Sequence, residues 1–151
     1  MKIGMIQHNP IIGDFSGNAK KIIEMHQESV LLGAEIVVAP ELALWGYPPQ
    51  DRLLSISDQK KQEDVLTDVI NAVNEIPLVL GISRKNLKSG PLCLNSALFV
   101  QNRTKILTYD KQLLPEYDVF DEKRYFHAGK KTSSSFVFNG KRCAVRVCED
   151  I

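Results

Sequence analysis

A chain of 151 residues with 44% hydrophobic and 25% charged side chains has the make-up of one soluble globular domain. Nineteen basic residues against eighteen acidic ones leave a formal charge of +1, which gives no electrostatic case for nucleic acid or an anionic membrane surface. No apolar stretch reaches membrane-spanning length, Met1 opens no signal-peptide pattern, and three cysteines without a CxxC pair point to a reducing cytoplasm rather than a disulfide scaffold.

The pattern predicts a first strand over Lys2–Gln7, ended by Asn9-Pro10. Asp14 to Gly17 is turn-like, with Ser16 as the expected cap of a helix running from Asn18 to Leu32. Ala19, Ile22, Ile23, His26 and Val30 recur there at helical spacing, and Gly33 stands where a helix C-terminal glycine belongs. Ile36-Val37-Val38-Ala39 reads as a strand buried on both faces. Pro48-Pro49 breaks regular structure, and a second helix follows over Asp58–Asn74, with Val65, Leu66, Val69, Ile70 and Val73 on one stripe. Leu78–Ile82 is a third strand, and Asn95–Val100 and Lys105–Tyr109 are two more around a polar turn. A charged loop with Pro115 leads to a hairpin of Phe136–Phe138 and Arg142–Val147 around Asn139-Gly140. Ser133-Ser134-Ser135 reads as a polar turn and Lys130-Lys131 as a solvated pair. This order implies an α/β layered domain with a mixed sheet. An apolar strand as last element leads us to expect further polypeptide beyond Ile151.

Three residues stand where chemistry is done in such sheets, at strand carboxyl ends. Cys148 follows the last predicted strand and precedes Glu149-Asp150. A thiolate attacks amide carbon well once a base or a cation generates it, although a free cysteine is ordinarily a small buried apolar residue. Glu41 follows Ile36–Pro40 and could serve as general base, or equally be a surface loop glutamate. Lys111 ends the fifth strand and could hold an oxyanion, or be one solvated lysine among many. On strand alternation Arg146 shares a face with Cys148 and would contact solvent or pair with a carboxylate. His8, His26 and His127 lie at no metal-ligand spacing, so no metal site is expected, and Trp45 is expected to pack near the mouth of the pocket.

Taken in order, Pro40-Glu41-Leu42-Ala43-Leu44-Trp45-Gly46-Tyr47-Pro48-Pro49-Gln50-Asp51, then Lys111 through Phe126, then Val147-Cys148-Glu149-Asp150-Ile151 resemble the nitrilase superfamily. The Gly46–Asp51 and Leu114–Phe126 stretches narrow this to the glutaminase domain of glutamine-dependent NAD+ synthetases. The resemblance covers essentially all 151 residues. It implies the N-terminal part of a nitrilase-type α-β-β-α sandwich with a mixed sheet, shortened at Ile151. It implies glutamine hydrolysis, with Glu41 as base, Lys111 as oxyanion-stabilising lysine and Cys148 as nucleophile. Tyr117 would contact L-glutamine, Tyr47 would line the same pocket, Glu122 would orient the triad, and the backbone N–H of Glu149 would be a second oxyanion donor. Two positions depart from the family pattern, since Glu116 and Asp118 stand where it carries asparagine and glycine. No cofactor is expected for the hydrolysis. ATP and Mg2+ would belong to a synthetase domain of the same protein that receives the ammonia. A free-standing amidase or nitrilase of another small amide, or an inert folded fragment, are the other readings. Unpaired strand edges and uncovered apolar faces lead us to expect a homo-oligomer, and a pocket lacking half of its wall leads us to expect little turnover by these residues alone.

Overall fold

The computed structural model describes residues 1–130 and 134–151. Lys131 of the expected solvated pair and Ser133 of the expected polar turn lie outside the described residues. Five strands form one sheet in spatial order β1 (Ile3–Met5), β2 (Ile36–Val38), β3 (Leu78–Lys85), β4 (Cys93–Gln101) and β5 (Thr104–Asp110). β1, β2 and β3 run parallel; β4 and β5 return antiparallel. The sheet is therefore mixed, as the sequence implied. Helical crossovers α1 (Phe15–Leu31) and α2 (Ile56–Ala72) join the parallel strands, as parallel pairing requires.

Asp14, not Ser16, caps α1: its carboxylate accepts from the Gly17 N–H at 3.0 Å. A charged acceptor satisfies an orphan donor and also suits the positive end of the helix, an advantage a serine lacks. Gly33 follows the helix at φ +83°, its N–H bonded to the Val30 carbonyl at 2.9 Å. α2 begins two residues earlier than its apolar stripe suggests, because the Ser55 hydroxyl accepts from the Asp58 N–H.

The two faces of the sheet carry separate cores. On one, Ile22 of α1 and Leu66 and Val69 of α2 pack on Val37, Leu80, Leu98 and Val100. On the other, Ile36, Val79, Ala97, Phe99 and Tyr109 are covered by a hairpin of β6 (Ser135–Phe138) and β7 (Lys141–Ala144) and by Val145 and Val147. Phe136 meets Phe99 edge-on at 4.8 Å. Helices, sheet and hairpin make three layers of the expected sandwich; a second helical layer is not among the described elements. Asn139 and Gly140, both at positive φ, form the hairpin turn that an Asn-Gly pair favours.

The chain end differs from expectation. β7 stops at Ala144, although Val145 and Val147 are buried. Their alternation imitates a strand, but Cys148–Asp150 form a single 3-10 turn instead. Arg146 is exposed, and no carboxylate pairs with it among the described residues. Its guanidinium lies 5.2 Å from the Tyr109 ring centre and donates to Ser134 Oγ and to the Val145 carbonyl. Ser134 is buried in that contact rather than in a polar turn, and Ser135 opens β6.

Candidate active site

The Glu41 loop is set down on the neighbouring strand. β2 ends at Val38, the Ala39 N–H still reaches the Val79 carbonyl, and the Ala43 N–H bonds Gly81 at 2.9 Å. A Cβ on Gly81 would stand 2.4 Å from the Pro40 carbonyl oxygen and 2.6 Å from the Leu42 nitrogen, so only glycine admits this approach. Glu41 Oε1 then accepts from Asn95 Nδ2 at 2.6 Å and from Lys111 Nζ at 2.9 Å.

Lys111 directly follows β5. Its backbone is pinned on both sides, N–H to the Asn95 carbonyl and C=O to the Gly129 N–H, each at 2.8 Å. Its side chain is 0% exposed, so the solvated-lysine reading fails. Nζ donates to Glu41 and to Glu122 Oε1, 2.9 Å each. Glu122, buried in a short 3-10 turn, also accepts from the Tyr47 hydroxyl at 2.9 Å. Burial pulls the ammonium pKa down, but the hydrogen bonds and charges of Glu122 and Glu41 outweigh it, and Lys111 ends above its ordinary value. Burial pushes the Glu122 carboxyl up, against the opposing pull of Lys111. Two carboxylates thus share one ammonium. Two buried oxygens in the cluster, Glu122 Oε2 and Asn95 Oδ1, have no donor among the described residues.

Cys148 opens the terminal turn at φ +48°, a left-handed conformation unusual for a side chain with a Cβ. The thiol is pushed up, first by desolvation and then by the charge of Glu41, while Lys111 and the N–H of Glu149 pull it down. Glu122 adds a smaller upward push. The sulfur therefore stands in the field of the whole Glu41–Lys111–Glu122 cluster. The Tyr117 hydroxyl, on an exposed ring, donates to Glu149 Oε2 at 2.8 Å. The Tyr47 hydroxyl is held far above the usual phenol range, by burial first and then by Glu122.

The structure thus gathers Glu41, Lys111, Glu122 and Tyr47 into one hydrogen-bonded cluster, and joins Tyr117 to Glu149 beside Cys148. Sequence reasoning missed two residues. Asn95 is an amide side chain buried in a largely apolar strand, beside Ser96, and that was its signal. Asp150 accepts from the Tyr109 hydroxyl at 2.8 Å, the Leu113 N–H at 2.8 Å and the Gln112 N–H at 3.1 Å. Its signal was the acidic pair after Cys148. A cavity of about 280 Å³ lies behind the cluster, walled by Tyr47, Asp51, Val119, Glu122 and Arg124. Trp45 packs in the core at 0% exposure, edge-on to Phe15 and in one cluster with Leu53 and Phe126, which line that cavity. His26 is a core histidine on the Ile76 carbonyl, its pKa lowered by burial. His8 meets Asn18 and His127 the neighbouring Ala128 carbonyl. Among the described residues no three His, Cys, Asp or Glu side chains converge to hold a metal ion, and no helix is long and apolar enough to cross a membrane.

The profile of the carbon-nitrogen hydrolase family matches residues 2–151. The chain is similar along its whole length to the N-terminal part of glutamine-dependent NAD+ synthetases. It is 35% identical to that of Synechocystis sp. over 154 residues and 33% identical to that of Acinetobacter baylyi over 150, covering 99% of this chain in both cases. A solved glutamine-dependent NAD+ synthetase from Acinetobacter baumannii superposes with a TM-score of 0.90 at 30% identity, over 98% of this chain and 27% of that one. The chain spans 27% of the length of the two curated relatives.

Proposed function

We propose, from the premise that this chain belongs to the carbon-nitrogen hydrolase family, that it hydrolyses the side-chain amide of L-glutamine. The ammonia would serve ATP-dependent NAD+ synthesis from deamido-NAD+ in a synthetase domain of the same protein. The observation that carries this reading is the fully buried Lys111 ammonium held between Glu41 and Glu122, with the Cys148 turn in their field. Whole-length similarity to the synthetases supports glutamine over another small amide.

The raised thiol pKa means that Cys148 rests protonated near neutral pH and needs a base. Glu41 takes the proton, and the sulfur attacks the carboxamide carbon. Lys111 Nζ and the Glu149 N–H stabilise the oxyanion. Glu41 returns the proton to the leaving ammonia, leaving a glutamyl thioester. Glu41 then activates the water that releases glutamate and frees the sulfur. Glu122 holds Lys111 in place, and Tyr47 holds Glu122. Tyr117 and Tyr47 flank the place of the substrate. ATP and Mg2+ act in the synthetase domain; the residues of this chain take no step through them.

Ammonia release from glutamine by the full-length gene product tests the reading. Cys148→Ala is expected to lose turnover by about 10⁴-fold or more. Release that survives this substitution overturns the assignment of the nucleophile.

A further inference from the structure

We propose that Asp150 is the positioning residue that fixes the nucleophile turn against Lys111. The proposal rests on the reading of Cys148 as nucleophile given above.

One carboxylate spans the two halves of the site. From the terminal turn, Asp150 Oδ2 accepts from the Tyr109 hydroxyl at 2.8 Å. Oδ1 accepts from the Leu113 N–H at 2.8 Å, and the Gln112 N–H reaches both oxygens at 3.1 Å. These donors bracket Lys111 in sequence, two residues before it and one and two residues after it. The same residue closes the turn that begins at Cys148, its N–H on the Val147 carbonyl at 3.1 Å. The separation between sulfur and ammonium is therefore set by bonds to a group two residues from the sulfur.

The clamp has work to do here. β7 ends at Ala144, so no ladder of strand hydrogen bonds holds Cys148 in place. Val145 is tied to Ser134, its N–H on the Ser134 carbonyl at 3.3 Å and its carbonyl accepting from the Ser134 hydroxyl at 2.6 Å, but that contact lies three residues before Cys148, and the burial of Val147 is not directional. Cys148 also holds a left-handed backbone, which persists only where the surroundings over-determine it. Three donors on one charged acceptor supply that direction. Glu149 offers no equivalent, since its carboxylate points outward to the exposed Tyr117. The groups that face the thiol are Glu41, Lys111, Glu122, Tyr47, Tyr117 and the Glu149 N–H. A shift of the turn changes the distance from the sulfur to the five side chains together, while the Glu149 N–H travels with it.

The test follows Cys148 alkylation by iodoacetamide across pH, by mass spectrometry, in the full-length gene product and in Asp150→Ala, Asp150→Asn and Tyr109→Phe. Melting temperatures and glutamine turnover are recorded alongside. Asp150→Ala is expected to displace the alkylation midpoint by about half a pH unit or more. Asp150→Asn keeps an acceptor for the backbone donors and is expected to move the midpoint less. Turnover in Asp150→Ala is expected to fall about 10²-fold through kcat, with KM little changed. A folded Asp150→Ala protein with a lowered melting temperature but an unmoved midpoint and kcat overturns the proposal, because it shows a structural role alone. Should Asp150→Ala fail to fold, unmoved midpoints in both Asp150→Asn and Tyr109→Phe overturn it equally. Failure of the glutaminase reading is separable, since it shows as wild-type protein without Cys148-dependent ammonia release whatever the midpoints do.

Discussion

Asp110 and Lys111 are neighbours in the chain, yet they enter two ion clusters of opposite character. Asp110 takes a two-pronged contact from Arg84 Nη2, at 2.8 and 2.9 Å, and a hydrogen bond from the Ser96 hydroxyl at 2.6 Å. One cation meets one anion, and the side chains are 38% and 25% exposed. Lys111 is wholly buried between two carboxylates, and two oxygens around it lack donors among the described residues. The first cluster is balanced and braces three strands. The second is unbalanced, with Lys111 and Glu122 removed from water, an arrangement that lowers stability unless the extra charge is wanted. The comparison teaches that adjacency in sequence says little about role; the imbalance of charge and donors identifies the site.

The comparison breaks most sharply at Lys111. Lys111→Met leaves the buried Glu122 and the part-exposed Glu41 without a cation and is expected to cost about 3 kcal/mol in urea unfolding, with turnover lost about 10³-fold. The lysine's pKa is raised in the folded state, so its stabilisation is complete below the ordinary 10.5 and fades as pH climbs through the higher folded value. Alkaline unfolding above about pH 10.5 should therefore be weaker in the Met variant than in the wild type. Glu122→Gln comes next, with a turnover loss of about 10²-fold through misplacement of Lys111. Because the folded Glu122 pKa lies above its ordinary 4.5, the folded state holds the proton longer. Wild-type stability should then decline as pH rises from 4.5 toward the folded value. The Gln variant should lack that decline in urea midpoints taken across this window. Arg84→Met, in the balanced cluster, should cost about 1 kcal/mol and leave ammonia release within about twofold of wild type.

The layers were legible because burial on both faces writes continuous apolar runs, as in Ile36-Val37-Val38 and Leu78–Ile82. Glu41, Lys111 and Cys148 stood out as candidates at strand ends, and the resemblance of three segments to the nitrilase superfamily grouped them. The setting of the cysteine was not, because Val145 and Val147 alternate with polar residues just as a strand does. Whether a ladder partner exists for those residues is decided by the distant hairpin, not by the local pattern. The cap at Asp14 was missed since two capping residues stood within one turn, and only the path of the chain chooses between them. Asn95 and Asp150 were hidden for a related reason: their meaning lies in donors and acceptors up to 54 residues away.

One last property follows from Trp45. It is the sole tryptophan of the chain, fully enclosed, and its indole N–H donates to Gln62 Oε1 at 2.7 Å. Gln62 in turn holds Ser83 through both backbone groups. The indole sits four residues past Glu41, on the same loop. The molecule thus carries its own fluorophore on the loop that bears Glu41, dark to external quenchers while that loop is seated. Loosening of the loop would redden the emission and admit iodide, so the state of the Glu41 region can be followed optically without any added label.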